Sequence, residues 1–281
     1  MLKKNTRAHN HCPLATNSAI EFVAFSSVNH SKLHNSCLDE NVVAIQTSRI
    51  SPFAHNADNQ SADANSPYQS FNLGCHVGDL PEQVTNNRQL LLQLLPSNTK
   101  IQWLEQVHGS EVAQITAVSS QPVRADASFT KEKNICLAVM TADCLPILLV
   151  SKASNEIAAI HGGWRPLAAN ILANTINEMD NDANELCAWL GPCIGKTAFE
   201  VGVEVRDIFV NQNQQFAQAF AKHAADKYFA DLQQIAQIQL AQLGVENVKT
   251  LSKCTFSNTD KYYSYRKNST TGRMASLICL R

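Results

Sequence analysis

The feature that most constrains this chain is the run ICLAVMTADCLPILLV, residues 135 to 150. A strand with one solvated face alternates apolar and polar residues, and neither half of this run does, so both halves are expected to be covered on both faces. Thr141, Ala142, Asp143 and Cys144, followed by Pro146, interrupt the run. Two buried strands joined at a polar kink fit better than one continuous element. Buried strands of this kind need layers on either side, and the alternation of strand-like and helix-like segments after Phe71 reads as a mixed α/β (α+β) domain.

The rest of the chain from Phe71 onward supplies those layers. Val84, Leu91 and Leu95 give a helical spacing over 81 to 95. EIAAI reads as a short strand ending at His161-Gly162-Gly163-Trp164, after which Pro166 can open a helix to about Met179, since proline is tolerated in a first turn. LCAWL reads as a strand running into Gly191-Pro192-Cys193-Ile194-Gly195, with a helix expected from Gly202 to about Val210. Asp231 with Gln234 predicts an N-cap, and Leu232, Ile235, Ile238, Leu240 and Leu243 predict a helix that stops at Gly244. GRMASLICL reads as a last buried strand, and no fixed-period repeat appears.

The N-terminal part has a different texture, rich in Asn, Ser, Ala and His with only short apolar runs such as EFVAF and NVVAI. Residues 1–40 are expected to be a polar extension and 41–281 one catalytic domain, with a long surface loop over 50–70. The 281 residues suffice for a real core, and 44% hydrophobic residues supply it. With 23 basic and 24 acidic side chains the net charge is -1, which argues against nucleic acid or a membrane surface as partner. Nine cysteines, an odd number without C-x-x-C, point to a reducing cytoplasm. No apolar h-region follows the basic N-terminus, and no window approaches a membrane span.

Of the nine histidines, His9, His11, His30, His34 and His55 lie in the polar N-terminal part. His30, His34 and Cys37 have a metal-like spacing but little core around them to fix ligands. His108, Cys144 and His161 each sit where the chain turns, and imidazole nitrogen with thiolate sulfur suits zinc. Three protein ligands leave a fourth position for water or substrate, the catalytic pattern. Their separations of 36 and 17 residues match no short metal motif, and Cys144 as a packed thiol or His161 as a hydrogen-bonded core histidine remain alternatives.

Six motifs occur in order: FNLGCHVGD (71 to 79), EQVHG (105 to 109), ADCLPI (142 to 147), HGGWR (161 to 165), GPCIG with FEVG (191 to 202), and YYSYR with TGRMASLI (262 to 278). On these the chain resembles the YfiH family, also called the laccase-domain or multicopper polyphenol oxidoreductase family, from Phe71 to the C-terminus. The resemblance implies a single domain of layered mixed β-sheets flanked by helices. It also implies zinc held by His108, Cys144 and His161; copper is an alternative metal there, because copper(II) outcompetes zinc at many nitrogen and sulfur sites.

The implied activity is phosphorolysis of adenosine, inosine, guanosine and methylthioadenosine, together with deamination of adenosine; the partners are then purine nucleosides and phosphate. Asp143, as a general base or an orienting group, joins Cys144, His76 and Arg165 as a candidate catalytic residue. Asn72, Arg49, Cys193 and Arg266 are candidates for substrate contact, with paired arginine N–H donors suited to phosphate. Arg49 comes from Thr47-Ser48-Arg49, after which this chain has its long loop, and Pro166 stands where the family has glycine. Two other chemistries fit parts of the pattern. A copper oxidase acting on phenols would need many H-x-H pairs, whereas the chain has one, His9-Asn10-His11. A cysteine hydrolase acting on an amide, for example in cell-wall precursors, would use Cys144 as nucleophile with His108 or His161 as base.

Overall fold

The two halves of the apolar run belong to different sheets. In the computed structural model, which describes residues 19–23, 41–53, 66–153 and 155–281, Ile135–Thr141 and Leu145–Ser151 are separate strands, each buried along its whole length. The first lies in a five-stranded sheet ordered Ile20–Phe22, Val42–Thr47, Met274–Leu280, Ile135–Thr141, Lys100–Gln102. The second lies in a six-stranded sheet ordered Asn247–Thr250, Leu186–Leu190, Leu145–Ser151, Ile157–Gly162, Ala127–Thr130, Val112–Gln114. Residues 142–144 are therefore the crossover from one sheet to the other.

Side-chain alternation explains why both strands are apolar on both faces. Leu137 and Val139 meet Leu148 and Val150 in a core between the sheets. Cys136, Ala138 and Met140 point the other way, onto Phe71, Leu73 and Leu91. Ile147 and Leu149 point away from the shared core onto Leu172, Ile176, Ile235 and Leu240. The order of layers is thus helix, sheet, sheet, helices, a single mixed α/β domain.

Most local expectations correspond to elements. The first helix spans Pro81–Leu92, three residues shorter than the spacing predicted, because Gln93, Leu94 and Leu95 donate to carbonyls three residues back and Pro96 follows. Asp231 caps Leu232–Leu243 by accepting from the Gln234 amide at 3.1 Å, and Gly244 ends it at φ 91°. The helix expected from Pro166 to Met179 is instead two, Trp164–Ala168 and Ile171–Glu178. Asn170 separates them at φ 61°, a left-handed conformation that asparagine tolerates.

The stretch expected as an extension contributes to the domain at Ile20–Phe22, an edge strand antiparallel to Val42–Thr47. Glu21 of that strand also pairs with Lys261. His9, His11, His30, His34, Cys37 and His55 lie outside the described residues, as does most of the 50–70 loop.

Candidate functional site

Cys144 leaves the crossover beside the second sheet, and register explains how His161 reaches it. In the antiparallel pair of Leu145–Ser151 with Ile157–Gly162, Leu145 faces Gly162 and Pro146 faces His161. Cys144 is one residue beyond that pairing, so 17 positions in sequence collapse to adjacent ends of two strands. The glycine after the strand leaves the cluster room: a Cβ on Gly163 would lie 3.2 Å from Cys144 Sγ and 3.4 Å from His108 Cδ2, so those side chains would have to give by a few tenths of an ångström.

His108 arrives from a third direction, held by a residue that no motif singled out. Asp126 is fully buried and precedes Ala127–Thr130, whose Ala127 faces Ile160, so it stands opposite His161. Its carboxylate contacts His161 Nδ1 at 2.8 Å and accepts from the backbone amides of Val107, His108 and Gly109 at 3.1, 3.0 and 2.6 Å. One aspartate thereby orients the His161 ring and shapes the loop that carries His108 at φ 59°. Burial opposes its charge, but the His161 hydrogen bond, the Gly109 amide, the His161 charge and the Val107 amide together hold its pKa below the usual value. Gln106 fastens the same loop to the end of Ile135–Thr141, exchanging two hydrogen bonds with the Met140 backbone at 2.8 and 2.9 Å.

The result is one cluster. The donor atoms of His108, Cys144 and His161 lie within 4.8 Å of one another, the Cys144 Sγ to His108 Nε2 separation being 3.9 Å. The two imidazole rings meet edge to face with centroids 4.7 Å apart. Burial resists a charged Cys144, yet the His161 charge, hydrogen bonds from His108 and His161 and the His108 charge outweigh it and bring the thiol down to about 6. Burial likewise resists a charged His161, but the Cys144 charge, the Asp126 and Cys144 hydrogen bonds and the Asp126 charge raise it to about 9. A thiolate beside two oriented imidazoles is a donor set for a borderline-soft ion such as zinc. With Nδ1 of His161 held by a carboxylate, Nε2 is left to face the cluster, a common arrangement for a metal-ligating histidine.

The cluster lies in the wall of a cavity of about 590 Å³, shared with Gln106, Trp164, Phe199 and Tyr265. Among the expected site residues, His76, Asp143, Arg165 and Arg266 also line it. Asp143 is engaged on every side. Its carboxylate accepts from Thr255 Oγ1 at 2.5 Å, Ser264 Oγ at 3.0 Å and the Arg266 amide at 2.6 Å, and its carbonyl accepts from the Ile194 amide at 2.9 Å. These bonds hold its backbone at φ 91° and tie three loops to the residue before Cys144. Orientation is therefore what its geometry offers, rather than a carboxylate free to take a proton.

Arg49, Asn72 and Cys193 do not line the cavity. The Arg49 guanidinium donates to the carbonyls of Gln69 and Thr259 and lies over Tyr263, joining chain segments rather than facing the site. Asn72 is fully buried, with its amide bonded to Gly74, Asp79 and the Arg273 backbone. Cys193 is buried opposite Cys254 in a β-bridge. A turn motif tells that a residue is held in place but not which way its side chain points, which is why these three were not separable from the rest. Asp126, Gln106 and Arg273 are the site-forming residues that sequence reasoning passed over. The repeated Ala-Asp before a buried strand, at 125–126 and again at 142–143, was the available signal for Asp126.

A family model described as "Multi-copper polyphenol oxidoreductase laccase" matches residues 56–281. "Purine nucleoside phosphorylase YfiH" of Escherichia coli is 45% identical over 214 residues, covering 76% of this chain and 88% of that protein. A purine nucleoside phosphorylase of Pseudomonas aeruginosa is 44% identical over 215 residues, covering 76% and 87%. Among solved structures, a Neisseria meningitidis protein superposes with a TM-score of 0.80 at 36% identity, covering 92% of this chain and 98% of the other. No helix among the described residues is long and apolar enough to cross a membrane.

Proposed function

The chain belongs to the multi-copper polyphenol oxidoreductase laccase family, the YfiH family, and from that premise we propose that it is a zinc-dependent purine nucleoside phosphorylase. The observation that carries this most is the convergence of His108, Cys144 and His161 within 4.8 Å in the wall of a cavity whose other walls are aromatic and cationic. Zinc in that cluster would supply a Lewis acid able to bring the pKa of water towards neutrality, which suits hydrolytic deamination of adenosine in the same cavity. His108, Cys144 and His161 would hold it, oriented by Asp126 and by the Asp143 crossover.

Phosphorolysis asks other things of the residues. Phe199, Tyr265, Met140 and Leu232 offer apolar surface for a purine, and the arginines offer charge for phosphate. In the reaction an oxygen of phosphate bonds to C1′ of the ribose as the bond from C1′ to the purine nitrogen breaks. The electron pair leaves with the base, which takes up a proton, giving free purine and the 1-phosphate of the substrate's sugar, ribose 1-phosphate from adenosine, inosine and guanosine and methylthioribose 1-phosphate from methylthioadenosine. The substrates proposed are adenosine, inosine, guanosine and methylthioadenosine. The test is incubation of inosine and of adenosine with and without phosphate. Hypoxanthine and ribose 1-phosphate are expected from inosine with phosphate alone, and inosine from adenosine without it. Equal hypoxanthine release in both arms would make the enzyme a hydrolase and remove the phosphorylase assignment.

A further inference from the structure

The cavity's charge is unbalanced. Its lining holds Arg165, Arg266 and Arg273 against the Cys144 thiolate and one carboxylate, that of Asp143, which Thr255, Ser264 and the Arg266 amide already occupy. The arginines differ in what they have left to give. Arg266 spends Nη1 and Nη2 on the carbonyls of Ala198 and Glu200, and Arg165 is exposed with its guanidinium over the Trp164 ring. Arg273 is half-buried, and its Nη1 rests on the carbonyls of Thr271 and Gly272, both at 3.0 Å. Its Nε and Nη2 have no protein acceptor among the described residues, and no carboxylate pairs with it there. A half-buried guanidinium left in that state is a standing demand for an anion.

His76, an exposed residue, is carried on a loop tied to the same unit. Asn72 Oδ1 accepts from the Gly74 amide at 2.9 Å and the Arg273 amide at 2.8 Å, tying the loop that leads to His76 to the residue before Met274–Leu280. Gly74 packs so closely that a Cβ there would meet Arg273 Cγ at 2.8 Å. Arg88 stands behind, its Nε bonded to the Leu73 carbonyl and its guanidinium 3.8 Å over the Trp103 ring. Burial and then the charges of Arg273 and Arg88 lower the pKa of His76, so near neutral pH it offers a neutral ring N–H beside two cations. The position relative to the cluster follows from register: Met274 faces Thr141, so Arg273 comes level with the crossover that carries Cys144.

We propose that Arg273, with His76 beside it, seats inorganic phosphate in this cavity. This rests on the phosphorylase assignment for its chemistry but not for its binding. Nε and Nη2 form the edge of the guanidinium that can grip two phosphate oxygens at once, His76 donates to a third, and the remaining oxygen is left to form the bond to C1′.

The test is steady-state kinetics on inosine at varied phosphate for Arg273→Gln, Arg273→Lys and His76→Asn, alongside thermal unfolding with inorganic phosphate or with AMP. The KM for phosphate is expected to rise about ten- to a hundredfold in Arg273→Gln, less in the other two, with the inosine KM held within about twofold. Phosphate is expected to raise the Tm of the wild type and not that of Arg273→Gln. If phosphate stabilises the wild type through Arg273 yet no phosphorolysis occurs, the activity assignment fails and the site stands. If phosphorolysis occurs with an unchanged phosphate KM in Arg273→Lys and His76→Asn, the site is wrong, and those two variants decide the matter should Arg273→Gln fail to fold. Stabilisation by AMP with none by inorganic phosphate would assign the seat to a nucleotide's phosphoryl group and overturn the proposal.

Discussion

Asp126 is the residue on which the cluster depends without belonging to it. It orients His161 through Nδ1 and the His108 loop through three amides, and ligand-orienting carboxylates of this kind typically govern metal affinity by about ten- to a hundredfold. Asp126→Asn is therefore expected to weaken zinc binding by about that factor, measured by competition with a chromogenic chelator, while circular dichroism stays native. Unchanged zinc affinity would mean that Asp126 merely fills the core. The three cluster residues were legible in sequence because each sits at a turn and within a motif of the family. Asp126 was not, since no spacing links it to His108 or His161. What joins them is the pairing of Ala127 with Ile160, a property of the folded sheet.

At the scale of elements, the helices were legible where end signals were strong. Asp231 and Gly244 bound one helix at the residues expected, and Pro81 opens another. The break at Asn170 was hidden, because a left-handed asparagine leaves the apolar spacing on either side intact. The kink at 142–144 was visible, but whether its two strands pair or part into different sheets was not, since both outcomes bury them equally. The edge strand Ile20–Phe22 was hidden by its polar surroundings, and it gives an element-scale expectation. Removing residues 1–38 takes away that strand, the buried side chains of Ala19 and Val23 and the Glu21 pairing with Lys261. Stability is expected to fall by about 1–4 kcal/mol from the apolar area exposed, read from urea unfolding, with kcat on inosine retained because no described residue of that segment lines the cavity. Loss of kcat at full stability would give the segment a part in catalysis.

For the whole molecule, the architecture gathers the candidate site where two sheets exchange a chain. The crossover brings Cys144 to the end of one sheet, the neighbouring strand ends bring His161 and Asp126, and the start of Met274–Leu280 brings Arg273. The mixed α/β class was legible from the alternation of strand-like and helix-like segments after Phe71, and the layering followed from the family resemblance. The most direct measurement is conversion of adenosine to inosine by protein stripped with a chelator, verified metal-free, and then given one equivalent of zinc. Activity is expected to vanish on stripping and return with zinc in the wild type, and to stay absent in His108→Ala. Full turnover by the verified metal-free wild type would contradict the zinc assignment and leave Cys144 as a nucleophile in its place.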